Sequence, residues 1–126
     1  KEETGTILVL GQIALMRGDA ALARQSFEAN TGTNPRSTGG FYLLAYLAWK
    51  QGDSASAAAL LEKAVGTRGE DWKPEGAVAE GDVAQRMHKE VSPLSSYWEQ
   101  WDGTLDLASA FSSLDRYLAQ DHPWTG

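Results

Sequence analysis

Apolar residues near the start of the chain return every three or four positions, stop at a Gly-Asp pair, and then resume. Ile7, Leu10, Gly11, Ala14 and Leu15 share one face of a helix at that spacing. Gly18 can adopt the left-handed conformation that ends a helix, and Asp19 follows as an N-cap for the next one. Ala20, Leu22, Ala23, Phe27 and Ala29 carry this second helix towards Gly32, and Asn34-Pro35 turns the chain. The same text follows once more. A helix is expected from about Gly40 to Lys50, Gly52-Asp53 makes the turn, and Ala55 to Val65 forms the partner helix.

The two copies register at an offset of 34 residues. Gly18 falls on Gly52, Asp19 on Asp53, Leu10 on Leu44, Ala14 on Ala48 and Ala23 on Ala57, while Phe27 meets Leu61 and Gly11 meets Ala45. A period in this range signals stacked helical hairpins. Small residues (Gly11, Ala14, Ala23, Ala45, Ala48, Ala57) let paired helices approach, and Ile7, Leu10, Phe27, Phe41, Leu44 and Leu61 fill the remaining space.

This pattern resembles the tetratricopeptide repeat, whose signature runs from a large apolar residue through Leu-Gly and Tyr to Ala, Phe and Pro. The first copy, at about 4–37, supplies Ile7, Leu10, Gly11, Ala14, Ala23, Phe27 and Pro35. The second, at 38–69, supplies Phe41, Leu44, Ala45, Ala48, Ala57 and Leu61, with Gly69 in place of the closing Pro. Ala14 and Ala48 stand where the family prefers Tyr. The resemblance implies a short α-solenoid with one concave face.

The second half is written differently. "GTRGEDWKPEGAVAEG", from Gly66 to Gly81, has no helical period and reads as an irregular connector. Asp82 and Gln85 resemble a capping box that opens a short helix to about Val91, which completes an insertion over 70–90. Ser92-Pro93 is a helix start leading to Trp101, Asp102-Gly103-Thr104 breaks it, and a last helix runs from Leu105 to Ala119. Its stripe is Leu107, Ala108, Phe111, Leu114 and Leu118. Two repeats alone would leave an apolar flank bare, so residues 91–122 are expected to form a degenerate hairpin or cap. The whole, 1–126, is expected to be one all-α domain of about six or seven helices.

Composition narrows the function classes. A formal charge of -6 argues against a nucleic-acid surface, which needs clustered Lys and Arg. No apolar run, Ile7 to Leu10 and Phe41 to Trp49 included, approaches a membrane span, and Lys1-Glu2-Glu3-Thr4 lacks the layout of a signal peptide. With no cysteine there is no disulfide framework or thiolate metal site. The two histidines, His88 and His122, sit in no motif, and Asp19 and Asp53 are explained as caps. "GTRG" and "STGG" lack phosphate-loop spacing. No catalytic residue, metal site or cofactor is expected, and the chain does not read as an enzyme.

Tyr42, Tyr46 and Trp49 follow at i, i+4 and i+7, and the positions one repeat earlier are Leu8, Gln12 and Leu15. The tetratricopeptide resemblance implies that this stripe lines the concave groove. There it would take a protein or peptide partner, because Tyr and Trp bury much area while keeping a polar handle. A groove that grips a peptide C-terminus with Lys and Asn finds no match, Lys50 being the one cation close by. Two readings stay open. In the first, the chain is a scaffold that presents an open groove to a peptide or partner helix. In the second, it is an accessory or oligomerisation domain of a larger enzyme or secretion component whose groove is filled by its own C-terminal segment, by Trp72 or by Trp98 and Trp101. The stretch "YWEQW" offers Tyr97, Trp98 and Trp101 as a secondary contact patch for a partner or a second copy, or as packing for the last helix.

Overall fold

Six helices lie within residues 2–71 and 93–119, the part of the chain that this computed structural model describes. They are α1 (Glu2–Met16), α2 (Ala20–Thr33), α3 (Thr38–Lys50), α4 (Ser54–Asp71), α5 (Ser95–Glu99) and α6 (Leu107–Ala119). No strand occurs among the described residues. The fold is all-α, as the periodicity implies. The short helix expected from Asp82 to Val91, Trp72 and both histidines lie outside the described residues.

The two Gly-Asp turns are built alike. Gly18 and Gly52 take φ of +84° and +87°, the left-handed region that a side chain makes costly. The following amides close each turn, Asp19 N–H on Ala14 C=O and Asp53 N–H on Ala48 C=O, both at 2.9 Å. Each aspartate then caps the next helix, Asp19 accepting from Leu22 N–H and Asp53 from Ser56 N–H, both at 3.1 Å. Hydrogen bonds from the Ser56 side chain and backbone hold the Asp53 carboxyl below its ordinary range. The short turn folds α2 back on α1 and α4 back on α3, and α2 also packs against α3. Ala23, Phe27, Ala57, Leu61 and Ala64 are all fully buried in these joints.

Three expectations are corrected. Helix α4 does not stop near Val65 but continues through Gly66 and Gly69 to Asp71. The Thr67 hydroxyl bonds Ala64 C=O at 2.8 Å and meets the Thr38 hydroxyl at 2.6 Å, tying this last stretch to the start of α3. The first helix of the expected third hairpin shrinks to the five residues of α5, because Pro93 and Leu94 form a turn instead of a first helical turn. The break at Gly103 is present, with φ of +86°. Finally, Leu10 fills no core: it is 54% exposed, whereas its repeat partner Leu44 is 8% exposed.

Replacing Gly52 by Val should cost about 1–2 kcal/mol or more in urea unfolding, since a β-branched residue must enter the left-handed region. Gly66→Ala, inside α4 with open space beside it, should instead stabilise by up to about 1 kcal/mol.

Candidate functional site

The aromatic stripe on α3 is the best-defined feature of the two hairpins, and α6 together with the segment before it covers it. Phe111, from the middle of α6, enters among the three stripe aromatics. Its ring centroid lies 5.1 Å from Tyr42, 5.6 Å from Tyr46 and 5.4 Å from Trp49. Trp101 stacks at a tilt on the other side of Tyr42, 5.3 Å away. Such spacings fall within the favourable range for offset and edge-on ring pairs.

The polar atoms of the stripe are also answered from the C-terminal side. The Tyr42 hydroxyl donates to Ala110 C=O at 2.6 Å, and the Tyr46 hydroxyl donates to Asp115 Oδ1 at 2.8 Å. On α1, the buried Gln12 donates from Nε2 to Leu8 C=O at 3.2 Å and accepts from Leu94 N–H at 2.8 Å. Asp115 also pairs with Lys50 at 3.0 Å, at the rim of the covered face.

Small residues set how close the cover lies. A Cβ on Gly39 would stand 2.5 Å from the Trp98 ring, so the indole lies flat on bare backbone at the start of α3. The Trp101 ring is oriented by its own Nε1–H, which donates to Thr104 C=O at 3.0 Å.

The residues singled out from the sequence are therefore brought together, but not as an open groove. Leu8, Gln12, Leu15, Tyr42 and Tyr46 are buried, and Trp49 is half-buried at the edge. Of the two arrangements left open by the sequence, these side chains are packed as in the filled one, with α5 and α6 supplying apolar surface against them. Trp98 and Trp101 are buried in that cover and do not form an outward patch. Tyr97 is half-buried, its ring 5.7 Å from Tyr117 on α6. Sequence reasoning did not find Phe111, Leu94, Ala110 and Asp115 as partners of the stripe. Phe111 did stand on the apolar face of the last helix, but nothing in its spacing says which distant helix it meets. Among the described residues no group of three or more acidic or histidine side chains gathers as a metal site would require.

Burial raises both stripe phenols well above their ordinary value of 10.0, and for Tyr46 the hydrogen bond to Asp115 adds to it. The same bond, followed by Lys50, holds the Asp115 carboxyl below its ordinary 3.8. Burial of this kind marks a packed interior as readily as a working site. No protein-family model, curated protein or solved structure matches the chain.

Truncating Phe111 to Ala should cost about 3–5 kcal/mol of unfolding free energy, as removal of a fully buried aromatic does. Tyr42→Phe, which removes the side-chain donor to Ala110 C=O, should cost about 1 kcal/mol. The pH dependence follows from the signs. The tyrosine pKa values are raised in the folded state, so their contribution is complete below pH 10.0 and is lost as pH climbs beyond it. Tyrosinate absorbance should show Tyr42 and Tyr46 titrating only as the helices come apart. Asp115 is depressed, so its contribution holds above pH 3.8 and fades as pH falls through the lowered value. Asp115→Asn should flatten that acid limb.

Proposed function

We propose that the chain is a non-catalytic protein–protein association module, of the accessory or oligomerisation kind, which fills its own concave face and works through its outer surface. The observation that carries this reading is Phe111 seated among Tyr42, Tyr46 and Trp49, with the hydroxyls of both tyrosines bonded to α6. A partner would have to displace Leu94, Trp98, Trp101, Phe111 and Leu114, each contributing on the order of 1.5–3 kcal/mol by its burial.

With that face occupied, apolar surface remains on the outside of α1, beside the isolated exposed residues Leu22, Val65 and Leu105. Leu10 is exposed there, and Ile7, Val9 and Ile13 are half-buried. A helix that is apolar on every side belongs in an interior, so α1 is supported as a contact element. The resemblance to tetratricopeptide repeats, which bind other proteins, points the same way.

A second reading has an observation of its own. Trp49 is only half-buried, and the Lys50–Asp115 pair at the rim is 50% and 33% exposed. An amphipathic helix that presents a Phe and a Leu three positions later would reproduce what α6 offers, and would compete for the groove.

Affinity capture with wild type, Leu10→Glu and Trp49→Ala distinguishes the two. Leu10→Glu should leave stability within about 0.5 kcal/mol, as exposed substitutions do, and abolish capture. Loss of capture in Trp49→Ala with full retention in Leu10→Glu would favour the open-groove reading instead.

A further inference from the structure

The turn between α5 and α6 holds a reactive pair that the packing does not use. Asp102-Gly103 is the one place in the chain where an aspartate or asparagine precedes a glycine. Asp102 is exposed, and residues 101–106 belong to no helix. Gly103 takes φ of +86° and has no side chain, so nothing on its α-carbon shields its own nitrogen.

Asp102 Oδ1 accepts from Thr104 N–H at 3.1 Å, a turn in which the side chain bonds its own backbone two residues on. This bond curls the carboxyl group forward over the Gly103 peptide and draws electrons from the carboxyl carbon. Among the described residues no group accepts the Gly103 N–H. An electrophilic carbon and an amide nitrogen are thus neighbours, one bond short of a five-membered ring.

The same turn fixes the cover over α3. Trp101 Nε1–H donates to Thr104 C=O at 3.0 Å, and the Trp101 ring lies 5.3 Å from Tyr42. The Thr104 hydroxyl accepts from Asp106 N–H at 3.2 Å, just ahead of α6. All three contacts depend on the length of main chain between Trp101 and Asp106.

From this we infer that Asp102 is a self-modifying site, at which spontaneous isomerisation to isoaspartate unfastens the cover over Tyr42. The uncharged carboxyl form takes the attack. The Gly103 nitrogen bonds to Cγ and gives up its proton, the Cγ–OH bond breaks, and one water leaves. Water then adds to the main-chain carbonyl carbon of Asp102 and breaks its bond to the Gly103 nitrogen. The water lost is regained, no oxidant or reductant takes part, and the product has the mass of the original chain. Its main chain now runs through Cβ and Cγ and is one carbon longer. The free carboxylate stands on the α-carbon, so the turn that held Thr104 is lost.

Ageing the full chain in warm neutral buffer tests this, with proteolysis and electron-transfer fragmentation to tell isoaspartate from aspartate. Wild type should accumulate isoaspartate at position 102 and not at Asp19, Asp53, Asp106 or Asp115. Asp102→Asn loses ammonia from an amide that is neutral at this pH, and should reach the same product several-fold sooner. Asp102→Ser keeps an acceptor for Thr104 N–H but has no carboxyl carbon, so it should not age. The isoaspartyl form, purified from the aged sample, should exchange the backbone amides of α6 several-fold faster than the fresh chain, with both hairpins unchanged. Aged wild type without isoaspartate at 102 would overturn the proposal, as would isoaspartate forming at Asp53 at the same rate. Isoaspartate at 102 with α6 amides still exchanging at their original rate would overturn it too.

Discussion

Helix α3 has no face that tolerates water. From Thr38 to Ala48 every residue is buried, and the remainder of the molecule is arranged to keep it so. Helix α2 covers one side and α4 a second. The third side carries Tyr42 and Tyr46, too large and too apolar to leave bare, and α5 and α6 close over them. The paired hairpins and the long return of the chain are two answers to one requirement, since a helix that is apolar all round must be surrounded.

The cover is specific as well as greasy. Each phenol in the stripe finds an acceptor, and those acceptors come from two different kinds of group, a backbone carbonyl at Ala110 and a carboxylate at Asp115. Buried polar atoms without partners are costly, so these bonds contribute more by fixing where α6 sits than by adding net stability. Gly39 acts in the same sense from the other side, because only bare backbone admits the indole of Trp98.

What could be read from the sequence was whatever the local spacing controls. Gly18-Asp19 and Gly52-Asp53 announce their turns because a left-handed residue and a side-chain cap act within four positions of each other. The stripe Tyr42, Tyr46, Trp49 was visible for the same reason. Its occupant was not, since pairing Tyr42 with Ala110 joins residues 68 positions apart and no periodicity encodes that distance. The end of α4 is not legible in the sequence, because Gly66 and Gly69 disfavour a helix locally and the Thr38–Thr67 hydroxyl contact exists only where α3 and α4 have met. Leu10 looked like core from its spacing alone. Spacing assigns a residue to a helix face, and only tertiary structure decides whether a neighbour exists for that face.

Gln12 has a consequence for the order of assembly. Its side-chain amide holds Leu8 C=O one turn back on its own helix and the amide of Leu94, 82 positions later. The acceptor is oriented only once α1 has coiled, so it is unavailable to a chain that tries to close early. Hairpins joined by three-residue turns form from nearby contacts and do so quickly, whereas the return of residues 93–119 closes a long loop. The catch for Leu94 is therefore complete only where the helix at the front of the chain is already coiled.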